Sequence, residues 1–266
     1  MTDTPTLPEP PDLAATVFAA LKDKAHLANG PRMMLGVLAG VYIGLGGLFA
    51  IIALAGAEAM PFGVGQVLAG LVFAMGLALV MIGGAELFTG NTLMAGPVAA
   101  GEVAPGRAAA ALAVVYAANF AGSVLLALLV LAAGLHEAGE GAVGRAALDL
   151  GATKTDQGFG AMLASGILAN MLVCLAVWLA YGGKTVTQKL AGLTLPIAAF
   201  VAAGFEHSVA NMYLLPYAWM VQAVTEGAGA AITASGVLAN LVAATIGNLI
   251  GGAAIALAYW FAYLRD

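Results

Sequence analysis

The chain has 266 residues, of which 62% are apolar and only 9% are charged, with a formal net charge of −5. Soluble domains usually carry about 25% charged residues, so this composition excludes a soluble enzyme, a disordered chain and a nucleic-acid-binding protein. An integral membrane protein is the class that is left, and the positions of the few charges should reveal its topology.

The first segment, residues 1–30, is polar and rich in proline near its start. Asp12 follows the prolines, and we predict it as the N-cap of a short helix. Val17, Leu21 and Lys24 fall on one stripe of that helix, which predicts an amphipathic helix at the inner membrane surface. Such a helix could be a simple anchor or a gate over a cytoplasmic pore mouth.

Residues 31–266 contain six apolar stretches that we predict to cross the membrane, since a spanning helix needs roughly 20 apolar residues. The predicted spans are residues 33–55, 62–87 with an extension to 97, 107–134, 158–181, 189–222 and 237–264. Polar residues interrupt two of them. The second breaks around 88–91, and the fifth carries Glu206 and His207 near its middle.

The positions of lysine and arginine predict the orientation of the chain. If the N-terminus lies inside, only Arg145 and Lys154 fall on the outer side. The other cations then lie inside: Lys22, Lys24, Arg32, Arg107, Lys184, Lys189 and Arg265. Because cytoplasmic loops are enriched in these residues, both termini are predicted to be cytoplasmic.

The chain also contains a weak internal repeat. Residues 86–91 and 206–211 both begin with Glu and end with Asn, and Asn119 and Asn248 both begin an Asn-x-x-Gly motif. Each half has three spans, an odd number, so the second copy must enter the membrane from the opposite side. Inverted repeats with interrupted helices in equivalent places predict a transport site at the midplane, where half-helix N-termini favour an anion.

His207 is the only histidine in a predicted span, and an ionisable residue there is a candidate for function. Its imidazole could give an anion a hydrogen bond or a proton, or could simply bond to a neighbouring helix. The Thr89 hydroxyl could donate to His207 or to the anion, and Asn170 could hold the His207 ring. Carboxylates would repel an anion, so we expect Glu86 and Glu206 to face protein and accept from N–H groups freed by the breaks.

Lys154 lies just outside the fourth span, where it could draw anions into a vestibule or could simply be a solvated surface charge. Large apolar residues near the breaks could narrow a pore, although their spacing also fits ordinary packing. These candidates for constrictions are Phe73, Leu77, Phe88, Val173 and Phe200.

Four strings in the chain, at 84–91, 166–178, 199–213 and 247–252, resemble the formate/nitrite transporter family of pentameric membrane channels. The resemblance extends over about residues 12–265. It implies an all-α protomer of six transmembrane helices in two inverted three-helix repeats, with helices two and five broken. This protomer is aquaporin-like and has its own pore, and five protomers form a ring.

The resemblance also implies roles for particular residues. It makes His207 the central histidine, Thr89 and Asn170 its hydrogen-bonding partners, Lys154 the vestibule lysine and Glu206 the glutamate of the second repeat. The outer constriction would be Phe73 and Phe200, and the cytoplasmic one Leu77, Phe88 and Val173. Since a bare anion cannot shed its water in such apolar rings at low cost, the substrate would cross them as a neutral acid.

We therefore expect pH-dependent transport of a small weak-acid anion across the bacterial inner membrane, with formate as the first choice and nitrite as the second. A nitrite or hydrosulfide channel and an anion–proton symporter of the same family are the alternatives. A water or glycerol channel is disfavoured because the chain has no Asn-Pro-Ala motif. No cofactor or metal is expected, since bis-histidine haem ligation would need a second histidine within the spans.

Overall fold

The computed structural model describes residues 7–225 and 232–265, and in this part of the chain all regular structure is helical. The helices are α1 (Pro10–His26), α2 (Asn29–Leu54), α3 (Phe62–Gly83), α4 (Phe88–Asn91), α5 (Ala95–Ala99), α6 (Pro105–Ala132), α7 (Ala142–Thr155), α8 (Phe159–Gly182), α9 (Val186–Ala202), α10 (Ser208–Val224) and α11 (Ala234–Tyr259). Single turns of tighter or wider helix occur at Ala57–Ala59, Thr92–Met94, Leu135–Glu137 and Trp260–Leu264.

Five helices are long and apolar enough to cross a membrane: α2, α3, α6, α8 and α11 with the turn that follows it. Their ends lie within about four residues of five of the predicted spans, because charges and prolines mark the ends of such stretches. The predicted span 189–222 instead consists of two 17-residue helices, α9 and α10, with the non-helical residues 203–207 between them.

The N-terminal helix differs from its prediction in two ways. It begins at Pro10 with Glu9 as the N-cap, so the assignment of Asp12 as N-cap was wrong. Proline suits the first turn of a helix because it has no N–H that needs a partner there. The stripe that contains Val17 and Leu21 is buried against the protein, with Phe18 edge-on to Trp178, and therefore does not face a membrane surface.

The helices follow each other in the same order twice. In the first half, α1 precedes the long helix α2, which packs against α3 and α6. In the second half, α7 precedes the long helix α8, which packs against α9 and α11. A glycine in the left-handed conformation follows both α3 and α9: Gly84 (φ 72°) directly after α3 and Gly204 (φ 70°) one residue beyond the C-cap of α9. An L side chain is strained in this conformation, so glycine allows the chain to turn sharply at both points.

Candidate functional site

The first interruption, residues 84–87, is held by one asparagine of α6. The Asn119 Oδ1 atom accepts a hydrogen bond from the Phe88 N–H at 2.9 Å. Its Nδ2 atom donates to the carbonyl oxygens of Gly36, at 2.7 Å, and Glu86, at 2.9 Å. A single buried side chain thus pairs three main-chain groups, which would be costly to bury without partners.

The second interruption is held by an equivalent asparagine of α11. Asn248 Oδ1 accepts from the Ser208 N–H at 2.8 Å, and Nδ2 donates to the carbonyl oxygens of Gly166, at 2.8 Å, and Glu206, at 2.9 Å. The expectation that the two glutamates accept from the freed N–H groups was therefore wrong. A neutral amide can pair both N–H and C=O groups, whereas a carboxylate pairs only donors and brings a charge into the interior.

The carboxylate of Glu206 is fully buried and faces protein, as expected. Its Oε2 atom accepts from Lys154 Nζ at 3.0 Å, from Asn211 Nδ2 at 2.5 Å and from Asn240 Nδ2 at 3.0 Å. Its Oε1 atom accepts from Gln157 Nε2 at 3.1 Å. The Lys154 side chain is only 7% exposed, so this residue is half of a buried ion pair and not a solvated surface charge.

The carboxylate of Glu86 has a similar but smaller set of partners. It accepts from Asn91 Nδ2 at 2.7 Å and from Lys24 Nζ at 2.6 Å. Lys24 lies on α1, so this ion pair connects the N-terminal helix to the first interruption. The Lys24 side chain is 23% exposed, so it remains in contact with solvent.

Sequence reasoning missed Lys24, Asn240 and Gln157 as members of these clusters. A signal for Lys24 was available, because it lies twelve residues before Gly36, as Lys154 lies twelve before Gly166. Those two glycines supply the carbonyl groups to which the equivalent asparagines bond. No repeat signal identifies Asn240 or Gln157, since the corresponding positions of the first half are apolar.

His207 occupies the N-cap of α10 and is 2% exposed. Its Nδ1 atom accepts a hydrogen bond from the Ala210 N–H at 2.9 Å, and its Nε2 atom lies 2.9 Å from Thr89 Oγ1. Because Nδ1 accepts, this hydrogen-bond network assigns the proton of a neutral imidazole to Nε2, which then donates to Thr89. The Thr89 hydroxyl keeps its own proton for another acceptor.

Asn170 lies near this pair but bonds elsewhere. Its Nδ2 atom donates to the Thr89 carbonyl at 3.3 Å and to Thr92 Oγ1 at 2.9 Å. The expected hydrogen bond from Asn170 to the His207 ring does not form, because both ring nitrogens already have partners. Asn170 therefore supports the main chain that carries Thr89.

The predicted outer constriction lies next to the histidine. The rings of Phe73 and Phe200 meet edge-on with centroids 5.5 Å apart, and Phe200 stacks on the His207 imidazole at 5.6 Å. Phe73, Phe200, His207 and Thr89 thus form a continuous row of contacts that joins α3, α9, α10 and α4.

The three residues predicted for the other constriction are also buried. Phe88 is the first residue of α4, and its ring packs edge-on against Tyr116 at 4.8 Å. Leu77 and Val173 are each 1% exposed and belong to the same apolar cluster as Phe88.

An open pocket of about 530 Å³ leads to this row of residues from the side of α7. Lys154, Glu58, Asp149 and the turn at residues 202–204 line it. A smaller cavity of about 70 Å³ adjoins it and is lined by Lys154, Phe73, Phe200 and Asn211 among others. The space therefore narrows from a charged opening to a pair of phenylalanines, behind which the histidine lies.

Known proteins of one family resemble this chain over most of its length. The family model described as formate/nitrite transporter matches residues 11–261. The formate channel FocA of Escherichia coli (strain K12) is 35% identical over 245 residues, which cover 87% of this chain and 86% of that channel. The nitrite transporter NirC of Salmonella typhimurium is 34% identical over 227 residues, covering 85% and 80% of the two chains.

A solved structure of a pentameric formate channel with formate bound has the same fold. It superposes with a TM-score of 0.82 at 33% sequence identity. The match covers 90% of this chain and 98% of that structure. These relatives are channels and transporters rather than enzymes.

Proposed function

The chain belongs to the formate/nitrite transporter family, and we propose that it carries small monovalent weak-acid anions across the bacterial inner membrane in a pH-dependent manner. We propose formate as the preferred substrate and nitrite as the next candidate. The names of its relatives support both anions, since FocA is a formate channel and NirC a nitrite transporter. The observation that carries the proposal is the buried pair of His207 and Thr89 behind the ring pair of Phe73 and Phe200.

We propose that each protomer has six spans in two inverted halves, like an aquaporin, with a pore of its own, and that five protomers form a ring. The repeated helix order and the matching contacts of Asn119 and Asn248 support the repeat. A solved relative is a pentamer, which supports the ring. The excess of lysine and arginine on one side supports cytoplasmic termini.

Lys154 is proposed to attract the anion into the opening on the side of α7. Lys154 is among the residues that line the open pocket, but its ammonium group is already paired with the buried carboxylate of Glu206. This pairing limits how strongly the lysine can hold a second anion. A transport site needs binding that is strong enough for entry and weak enough for release, and a compensated lysine meets both needs.

His207 is proposed to act as a hydrogen-bond donor together with Thr89. A neutral His207 carries one proton, on Nε2, and losing it would leave an imidazolate anion. A second proton would have to go on Nδ1, which would break the bond from the Ala210 N–H and uncap α10. The apolar rings favour the protonated, neutral form of the substrate, so we propose that the proton comes from hydronium ions of the bulk solution, which reach the substrate through the open pocket and leave water behind.

The test is anion flux into proteoliposomes for the wild type, His207→Asn and His207→Ala, from about pH 5 to pH 8, over which the small neutral-acid fraction of formate falls steadily as the pH rises. The asparagine variant is the sharper one, because its Oδ1 atom can still cap α10 while the Nε2–H donor is lost. We expect its formate flux to fall by about tenfold or more. Unchanged flux in His207→Asn would contradict the proposed role of the histidine.

The same assay compares formate, nitrite, hydrosulfide and chloride. Chloride cannot be protonated near neutral pH, so its flux should be negligible, while the rates for the other three rank the substrates. Passage of the neutral acid and anion–proton symport both move one proton with each formate, so the proton ratio does not separate them; faster uptake into vesicles preloaded with formate, which is typical of a carrier, would favour the symporter. Wild-type chloride flux equal to formate flux would contradict transport as a neutral acid.

A further inference from the structure

Arg32, near the start of α2, is a buried cation without a carboxylate. It is 6% exposed, and its guanidinium donates to Asn29 Oδ1 at 2.7 Å and to the carbonyl oxygens of Ala25, at 3.2 Å, and Lys24, at 3.4 Å. Its buried Nε atom has no partner, and within residues 7–225 and 232–265 no acidic group pairs with it. A buried charge without a counter-charge is costly, so an anion from outside the chain would fit here.

Arg32 lines an open pocket of about 620 Å³ between α1, α2 and α6. The exposed Arg107 and His26 line the same pocket, and Arg107 makes no side-chain hydrogen bond or ion pair with the described residues. No acidic side chain is among the described residues that line it, whereas Glu58 and Asp149 line the opening near Lys154. The two charged residues that line the pocket, Arg32 and Arg107, are therefore both cations.

Two long helices begin at this pocket. The N-cap residues Ala28 of α2 and Ala104 of α6 both line it, and neither helix has a side-chain cap. The helices have 26 and 28 residues, so the positive ends of two helix dipoles meet here. Pro31 and Pro105 have no N–H, and the Arg107 N–H bonds to the Ala104 carbonyl, so the first-turn N–H groups without a partner among the described residues are those of Asn29, Gly30 and Gly106. Such groups bind oxyanions.

We propose that this pocket binds a phosphate group, supplied by an anionic lipid headgroup or by free phosphate. Arginine matches the oxygens of a phosphate with paired N–H donors, and the pocket offers one buried and one exposed arginine. It lies at one end of two membrane-spanning helices, where lipid headgroups would be expected, and on the side where lysine and arginine are concentrated. The pocket shares no lining residue with the row formed by Phe73, Phe200, His207 and Thr89, so it is separate from the proposed transport site.

The experiment uses the full chain, purified in neutral detergent with its lipids removed. Two quantities are measured: the thermal unfolding midpoint, and the amount of bound lipid, by native mass spectrometry. The two probes are inorganic phosphate and phosphatidylglycerol. The variant Arg107→Gln removes the exposed cation of the pocket. Lys184→Gln is the matched control, since this exposed lysine lies in the α8–α9 connection, outside the pocket but on the same predicted side.

We expect phosphatidylglycerol to raise the midpoint of the wild type and of Lys184→Gln, and to bind Arg107→Gln about tenfold more weakly. A matching response to inorganic phosphate would show that free phosphate also occupies the site, and its absence would identify the lipid headgroup. No midpoint shift with either probe, or equal weakening in Arg107→Gln and Lys184→Gln, would overturn the proposal.

Arg32→Met tests the buried charge. The variant removes an uncompensated charge but also the donor of three hydrogen bonds, so its own unfolding midpoint without a ligand serves as the baseline. The variant should lose the response to phosphatidylglycerol. A variant that keeps the response would contradict the site. These measurements involve no flux, so their outcome is independent of the proposed transport function.

Discussion

Each interruption together with the first turn of the helix that follows it, residues 84–91 in one half and 204–211 in the other, has the same frame, but the two differ at the positions that could carry chemistry. Each has a left-handed glycine, a buried glutamate bonded to the asparagine five residues later, and an asparagine from another helix that pairs three main-chain groups. Leucine at 87 corresponds to histidine at 207, and Thr89 corresponds to valine at 209. The repeated residues therefore build the scaffold, and the residues that differ supply one donor pair.

The glutamates of the two segments also differ in how firmly they are held. Glu206 receives four side-chain donors and its lysine is 7% exposed, whereas Glu86 receives two and its lysine is 23% exposed. The lysine of the second cluster is thus more deeply buried than the lysine of the first. We therefore expect equivalent substitutions to have equal effects at the two asparagines that pair main-chain groups, and unequal effects at the two glutamates.

The largest effects are expected from removing the asparagines that hold the interruptions. Asn119→Ala and Asn248→Ala each leave one N–H and two C=O groups unpaired in the interior. Each should lower the free energy of unfolding by about 3 to 6 kcal/mol, as expected for several buried groups that lose their partners. Equilibrium unfolding in mixed detergent micelles measures both values.

Ser123→Ala is the control for these variants, because it removes one 3.3 Å hydrogen bond from the same helix as Asn119. It should cost about 1 kcal/mol or less. If Asn119→Ala were as mild as this control while Asn248→Ala was severe, the two interruptions would not share one frame.

The next largest effect should separate the two glutamates. Glu206→Gln leaves the buried Lys154 without its counter-charge and should cost about 3 to 5 kcal/mol. Glu86→Gln should cost about 1 kcal/mol, because the partly exposed Lys24 can turn to water. Thermal unfolding midpoints give the order of the two, and equal shifts would show that Lys24 depends on its carboxylate as much as Lys154 does.

A double variant gives a further check on the same pair. Lys154→Met combined with Glu206→Gln removes both charges together, so it should recover much of the stability that Glu206→Gln loses. If the double variant is as unstable as the single one, the loss comes from the amide network and not from the unpaired lysine.

Much of this fold could be predicted because membrane-spanning helices are recognised in a sequence by their length and apolar composition. The five long helices and the break around His207 follow from uncharged stretches and from polar residues inside them. The direction in which Glu86 and Glu206 face also followed from a simple charge argument. These properties depend on composition along the chain and not on which helices become neighbours.

The contacts between helices were beyond such reasoning. Asn119 and Asn248 were visible as a repeat. Their role in pairing main-chain groups of other segments could not be seen, because it depends on contacts between helices that lie far apart in sequence. Asn170 has the right side chain to bond an imidazole, yet Thr89 and the Ala210 N–H occupy both ring nitrogens first. The N-terminal helix looked amphipathic, and only tertiary packing shows that protein covers its apolar stripe.

A loss of flux with only a modest loss of stability should come from making the first interruption resemble the second. Thr89→Val takes the residue found at the equivalent position 209 and removes the acceptor for the His207 Nε2–H. The fold should survive, with a loss of about 1 to 2 kcal/mol from one buried donor left unpaired, and formate flux should fall by about tenfold. Val209→Thr is the matched control, because it makes the reverse exchange in a side chain that does not bond the histidine. If both variants lower flux equally, the donor pair of His207 and Thr89 is not what distinguishes the two halves.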